Sequence, residues 1–251
     1  MELQLIRNAT LKLNYAGKVL LIDPMFSIKE TFPPFAPGLQ KNPIVNLTML
    51  ISEIIENLDG ILITHLHPDH LDEKAIKTLS KDTKLFCTPE DESFMIKHFN
   101  NVSVIQKELE WEGLSITRIA GQHGSGPILP HMGQVSGYVI QAKEEPTVYI
   151  VSDSILIDEV RNAVEKFSPE LIVTNSGGGI IPNFEDYPVH MDEKQTIELS
   201  KLSPNSKLVA VHLEAIDFCR VTRESLRLYA DKNGVERDRI LIPDDGEIMS
   251  F

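Results

Sequence analysis

The sequence predicts an α/β fold of stacked sheets flanked by helices, and three observations predict it. Short β-rich apolar runs recur along the 251 residues. Helix-like stretches separate several of these runs, each with charge on one side and apolar residues at helical spacing. The strands meander first and alternate with helices afterwards, an order that stacks sheets between layers of helix.

Taken in order, "MELQLIRNATLKLNY" alternates apolar and polar residues as strands do, and Ala16-Gly17 turns the chain into "KVLLID". "GILIT" leads to the helix-like "DEKAIKTLS", and "KLFCT" leads to "EDESFMIKHF". "LSITRIAG", "SGYVIQA" and "TVYIVSD" form a second series of strands, followed by the helical "ILIDEVRNAVEKF". "ELIVTN", "MDEKQTIELSKL", "KLVAVH" and "TRESLRLYADKNG" continue the alternation, and Asn233-Gly234 is a natural helix stop. Each half runs from hairpin-like strands into strand–helix units, a similarity too faint to be a repeat. No linker or low-complexity tract divides the chain, so residues 1–251 are expected to form a single domain.

One stretch fits neither period. Pro24 to Leu47 holds five of the fifteen prolines and three phenylalanines. Loops beyond about 12–15 residues tend to be functional or disordered, and the aromatic content argues against disorder. Phe26, Phe32 and Phe35 either pin a long connection to the core or wall a substrate site.

Composition narrows the partners. The chain is 42% hydrophobic and 24% charged, with a mean hydropathy of −0.09. No apolar stretch approaches the roughly 20 residues of a membrane span, and the first residues lack the apolar core of a signal peptide. A net charge of −13, from 24 basic and 37 acidic residues, repels phosphate backbones. With no run of Lys and Arg, nucleic acid is not expected as a partner. Cys87 and Cys219 have neither metal-like nor disulfide-framework spacing, which points to a reduced, cytoplasmic setting. Homo-oligomerisation is left open.

The chemistry concentrates in "ITHLHPDHLD", Ile63 to Asp72, which spends three of eight histidines within six positions. Residues two apart in extended chain face the same way, so His65 and His67 can grip one ion. Pro68 redirects the chain, placing Asp69 and His70 where they can hold a second. Imidazole and carboxylate together suit zinc, manganese or iron. A polar loop with satisfied histidines is the bland alternative, and four ligand-type residues in this packing outweigh it. His123 follows "LSITRIAG", Asp153 ends "TVYIVSD" and His212 ends "KLVAVH". Each lies at the carboxyl end of an apolar strand, where loops of α/β sheets converge on ligands. Singly, Asp153 could be a helix cap and His212 a core histidine.

"HLHPDH" resembles the H-x-H-x-D-H motif of the metallo-β-lactamase superfamily, and His123, Asp153 and His212 fall in the order of that family's later ligands. The resemblance covers nearly the whole chain. It is closer to the branch of ascorbate-6-phosphate lactonase and related metal-dependent hydrolases, which also has an Asp at the position of Asp72 and an ending similar to "DDGE", Asp244 to Glu247. Where the family often reads Gly-Asp-Thr, this chain reads Ser152-Asp153-Ser154. The resemblance implies an αββα four-layer sandwich with two divalent metal ions, zinc or manganese first and iron as a further option. His65, His67 and His123 would hold one ion, Asp69, His70 and His212 the other, with Asp153 bridging. A water between the ions is acidified from about 15.7 toward roughly 7. The implied activity is hydrolysis of a small-molecule ester, lactone or phosphorylated metabolite by a metal-bridging hydroxide, with Asp69 and Asp153 as catalytic carboxylates. A phosphodiesterase or nuclease of the same fold and a non-catalytic metal sensor are the alternatives. The diiron flavoprotein relatives carry Glu at the position of His67, which counts against redox chemistry.

Weaker candidates remain. Asp23 could orient a ligand histidine or cap a turn. "NSGGG", Asn175 to Gly179, could offer backbone N–H groups to an anion or be a plain turn. His131 and His190 lie in polar stretches and could touch substrate. His98 reads as a helix-surface residue, and Glu214 as either a support of His212 or a solvated group.

Overall fold

The computed structural model describes residues 1–251. The opening meander is present as β1 (Glu2–Arg7), β2 (Thr10–Tyr15) and β3 (Lys18–Ile22), paired antiparallel. The β2–β3 turn puts Ala16 at φ 50° and Gly17 at φ 74°, the left-handed pair that a two-residue hairpin needs. Strand–helix alternation follows, through α1 (Ile51–Ile54), β4 (Gly60–Leu62), α2 (Glu73–Thr78), β5 (Lys84–Cys87), α3 (Glu92–His98) and β6 (Val102–Val104). Strands β3 to β6 run parallel.

The second half repeats the plan. β7 (Glu108–Trp111), β8 (Leu114–Ala120), the short α4 (Leu129–Met132), β9 (Ser136–Ala142) and β10 (Val148–Ile150) come first, their strands antiparallel. Then α5 (Asp158–Phe167), β11 (Leu171–Asn175), α6 (Glu193–Leu202), β12 (Lys207–Val211), α7 (Arg223–Lys232) and β13 (Ile240–Leu241) extend the sheet in parallel from β10. β14 (Ile248–Ser250) returns to pair with β1. Two seven-stranded sheets result, ordered β14-β1-β2-β3-β4-β5-β6 and β13-β12-β11-β10-β9-β8-β7. The faint likeness between the halves is therefore one of topology.

Strand period explains the layering. Leu20 and Ile22 of β3 point into the same core as Leu171 and Val173 of β11 and Val209 and Val211 of β12, between the two sheets. The intervening residues face outward onto helices. Leu21 and Ile61 pack with Ala75, Leu79 and Met95. Ile172, Leu208 and Ala210 pack with Val160, Ile197 and Leu226. Three apolar layers between four layers of secondary structure make an αββα sandwich. Strands buried on both faces read as unbroken apolar runs such as "VLLI" and "LIV", and each buried Leu or Ile contributes about 1.5–3 kcal/mol. No helix is long and apolar enough to cross a membrane.

The Pro24–Leu47 segment forms no helix or strand beyond an isolated bridge between Phe32 and Asn42. Polar side chains hold it instead. The buried Arg7 guanidinium donates to the carbonyls of Met25, Ser27 and Val45. Asp72 caps α2 at the Ala75 N–H and accepts from the Phe26 and Ser27 N–H groups as well. Further along, Asn42 exchanges two 2.9 Å hydrogen bonds with Asp217, in the loop after β12. The three phenylalanines divide accordingly. Phe26 joins the core beneath the first sheet and Phe32 a small satellite core, while Phe35 lies 5.7 Å from the Phe218 ring.

Candidate metal centre

All seven predicted residues meet at one edge of the sandwich. β3, β4, β10, β11 and β12 end on the same side because they lie parallel within each sheet. Immediately past those ends the backbone turns sharply: Asp23, Ser152 and His212 have φ of 46°, 63° and 60°. Non-glycine residues held in the left-handed region cost of order 1–3 kcal/mol each and tend to mark functional sites. Here the turns aim Asp23, Asp153 and His212 into the space between the sheets.

Two clusters share that space. The ring nitrogens of His65, His67 and His123 form one, and Asp69, His70, Asp153 and His212 form the other; within each, the ligand atoms lie within 4.8 Å of one another. In the first, His67 Nδ1 is 3.1 Å from His65 Nε2 and 3.2 Å from His123 Nε2. In the second, Asp69 Oδ2 is 3.1 Å from His212 Nε2. Asp153 stands between them, with Oδ2 3.2 Å from His70 Nε2 and 3.3 Å from His123 Nε2. The Pro68 corner supplies the offset between the clusters, since the His70 and Leu71 N–H groups both turn back to the His67 carbonyl.

The donor set fits divalent metal. Asp69 and Asp153 are 3% and 1% exposed, yet no Lys or Arg pairs with either. Buried carboxylates need a cation. Three ring nitrogens likewise converge with lone pairs facing one another, an arrangement that a cation relieves. Burial and neighbouring positive charge hold His65 well below its ordinary range, and burial takes His123 down to about 4. These rings are neutral and ready to ligate at pH 7. Burial acts the same way on His70, but the carboxylates of Asp153 and Asp23 outweigh it and raise the group to about 10.

Each ligand-type ring is oriented through its other nitrogen. His70 Nδ1 meets Asp23 Oδ2 at 2.8 Å, so Asp23 is an orienting carboxylate rather than a turn cap. His123 Nδ1 meets the Val189 carbonyl at 2.6 Å. His65 Nδ1 is 3.0 Å from Thr64 Oγ1, which donates its own proton to Asp23. Asn175 Nδ2 donates to Asp153 Oδ1 at 2.5 Å. The Ser152-Asp153-Ser154 sequence has a local use: Ser152 Oγ donates to Thr64, and Ser154 Oγ accepts the Gln122 N–H beside His123.

Several weaker expectations resolve. The "NSGGG" stretch is a tightly packed turn, with the Ser176 and Gly178 N–H groups taken by the Val211 and Met191 carbonyls. A Cβ on Gly177 would lie 2.3 Å from the His212 carbonyl, and one on Gly179 would lie 2.8 Å from His190 Nε2. The glycines allow close passage of backbone behind the site. His190 is fully buried behind His212, with ring centroids 4.7 Å apart. Glu214 pairs with Arg223 at the start of α7, away from the ring nitrogens. His98 packs on Phe94 within its own helix. His131 does reach the site. A cavity of about 210 Å³ opens over His67, Asp69, His123 and Asp153, lined otherwise by Phe35, Pro68, Ile128, His131, Met132, Ile181 and Phe218. Sequence reasoning gave no supporting role to Thr64 or Asn175, although both lie in stretches it singled out, nor to Cys219, whose spacing marks nothing.

A fold of this kind, with this centre at its edge, defines a class. The beta-lactamase superfamily domain matches residues 18–213, and the chain belongs to that superfamily, among its metal-dependent hydrolases. It is 33% identical to the Bacillus subtilis UPF0173 protein YddR across the full length of both chains. Among solved structures, a possible metal-dependent hydrolase from Veillonella parvula superposes with a TM-score of 0.95 at 30% identity, covering 100% of this chain and 99% of that one. An isothiocyanate hydrolase from Delia radicum gut bacteria superposes with a TM-score of 0.93 at 35% identity, with the same coverage.

Proposed function

We propose that the protein is a dinuclear hydrolase of small, uncharged electrophiles carrying an apolar substituent, with isothiocyanates as the substrate class and neutral esters or lactones as lesser substrates. The observation that carries this reading is the cavity wall. Apart from the metal-ligand candidates, its only polar side chain is His131, and no Lys or Arg lines it. A phosphorylated metabolite would find no Lys or Arg on the wall to share its phosphate charge, which the ions alone would have to meet. The volume suits a phenyl ring with a short linker, given that a cavity of about 150 Å³ takes benzene. The solved isothiocyanate hydrolase, similar along its whole length, supports the same class.

His65, His67 and His123 would hold one ion and Asp69, His70 and His212 the other, with Asp153 between. Two divalent ions there supply an acidified water and stabilise negative charge developing on the substrate. Asp69 Oδ2 and Asp153 Oδ2 are acceptors that fix the orientation of the attacking water. Phe35, Ile181 and Phe218 exclude bulk solvent and hold the organic group. His131, on α4 at the cavity wall, offers a hydrogen bond to the heteroatom that leaves the reacting carbon. Hydrolysis of R–N=C=S by one water gives the amine and carbonyl sulfide.

Purified protein loaded with zinc or manganese tests this against phenethyl isothiocyanate, phenyl acetate, a γ-lactone and a sugar phosphate. Release of phenethylamine at the highest kcat/KM, with no phosphate release, is the expected result. Phosphate release without amine release would overturn it, and no turnover of any substrate would favour the metal-sensor alternative.

A further inference from the structure

The ligand histidines are not supported alike. Four of the five rings turn their outer nitrogen to oxygen: His65 to the Thr64 hydroxyl, His67 to the Met132 carbonyl, His70 to Asp23 and His123 to the Val189 carbonyl. The fifth, His212, turns Nδ1 to sulfur, with Cys219 Sγ at 3.4 Å. The thiol has a second imidazole on its other side, His190 Nε2 at 3.8 Å. His190 Nδ1 lies toward the Met191 carbonyl at 3.5 Å, so its Nε2 lone pair is free for the thiol proton. The polarity of the chain follows: His212 Nδ1–H donates to Sγ, and S–H donates to His190.

The local backbone is built around this trio. A Cβ on Gly177 would stand 2.7 Å from Cys219 Sγ and 2.9 Å from His190 Cε1. Gly179 pairs with Cys219 in an isolated bridge, and the Cys219 N–H is fixed to the Ile216 carbonyl. No other polar atom is within hydrogen-bond distance of His212 Nδ1. Sulfur is a weak acceptor, whereas the Nδ1 atoms of His65, His70 and His123 face oxygen at 2.6–3.0 Å.

We propose that Cys219 is the positioning residue of His212 and makes the Asp69–His70–His212 half of the centre its weaker, exchangeable metal site. The thiol selects the His212 tautomer that leaves Nε2 free for metal, but it restrains the ring less than a carboxylate would. Partners of ligand histidines typically contribute 10–100-fold in metal affinity. The two halves consequently fill in order, the His65–His67–His123 half first. This rests on the two-metal reading above.

Metal-free protein titrated with zinc against a chromophoric chelator, and separately with cobalt(II) followed by its visible bands, tests the proposal. The wild type should bind two equivalents, the second at least tenfold more weakly. Cys219→Ala should weaken the second by a further 10–100-fold and shift the cobalt bands of that equivalent, leaving the first unchanged. Cys219→Ser, which restores an acceptor, should recover most of the loss. Long-range ¹⁵N correlation on the zinc-loaded wild type gives a readout that survives a poorly folding Ala variant, and it should show His212 protonated on Nδ1 alone. Wild-type affinity for the second equivalent in Cys219→Ala, or an Nε2–H tautomer, overturns the proposal. Saturation of the wild type at one equivalent overturns instead the two-metal reading, and this assignment falls with it.

Discussion

Asp23 Oδ2 lies 2.8 Å from His70 Nδ1, and the same carboxylate accepts both the N–H and the hydroxyl of Thr64, whose oxygen faces His65. One buried side chain therefore orients a candidate ligand histidine in each half of the centre. Asp23→Asn would turn an amide N–H toward a donor already in place, leaving a buried polar group unsatisfied. We expect the variant to retain less than one metal equivalent after dialysis and to lose about 10–100-fold in kcat/KM. Elemental analysis and steady-state rates check it, and two retained equivalents at full activity would refute the role.

Asp153 contacts both clusters, and Asn175 fixes its Oδ1. Asp153→Ala should weaken at least one metal and lower turnover on the order of 100-fold or more. Asn175→Ala removes only the hydrogen bond and should cost about tenfold, chiefly in kcat. A normal rate and both metals retained in Asp153→Ala would reduce this residue to a bystander at the turn before α5.

The two halves should respond differently to pH. A protonated imidazole cannot ligate, so a group whose value is raised must release its proton as metal enters. Burial lowers both His70 and His212, but nearby carboxylates outweigh it, raising His70 to about 10 and, together with Cys219, holding His212 well above its ordinary range. Affinity at their half should therefore climb with pH between about 6.5 and 8.5, by roughly tenfold per unit for each proton displaced. His123, held down at about 4, and His65, lower than its ordinary value, release none in that window. Calorimetric titration in buffers of different ionisation enthalpy reads the protons directly. Equal proton release at both equivalents contradicts this account.

The seven ligand candidates were legible because they follow the carboxyl ends of strand-like runs, and that boundary survives folding as the sheet edge. Of their supports, Asp23 was legible at the end of "VLLID", but Cys219 and Asn175 were not. Cys219 lies seven residues past His212 and Asn175 twenty-two past Asp153, and neither spacing has meaning until β11 and β12 lie side by side. The strands β6 and β7 escaped notice for a different reason. They are short edge strands whose residues are at most half-buried, so Val102–Val104 and Glu108–Trp111 show no sustained apolar period. "DEKAIKTLS" reads as a helix and is one only from Glu73 to Thr78, with Asp72 serving as its cap and as an anchor for the Pro24–Leu47 segment. That segment was legible as unusual, but only the packing divides its phenylalanines between core and cavity.

That division gives a last prediction. Phe32 is 9% exposed and sits in a satellite core with Met25, Ile128 and Phe218, whereas Phe35 is half-buried and faces the cavity. Truncating a core phenylalanine costs about 3–5 kcal/mol, and in a chain of this size each kcal/mol moves Tm by roughly 2–4 °C. Phe32→Ala should accordingly lower Tm on the order of 10 °C, with KM changed little wherever the protein remains folded. Phe35→Ala removes apolar contact with substrate but little of the core. Its KM for phenethyl isothiocyanate should rise about tenfold, equivalent to roughly 1.4 kcal/mol of lost contact, with metal content and Tm nearly unchanged. A short-chain alkyl isothiocyanate, too small to reach Phe35, should be turned over equally by wild type and variant. If Phe35→Ala lowers Tm as far as Phe32→Ala and leaves both KM values unaltered, the whole segment is core packing and the cavity wall lies elsewhere.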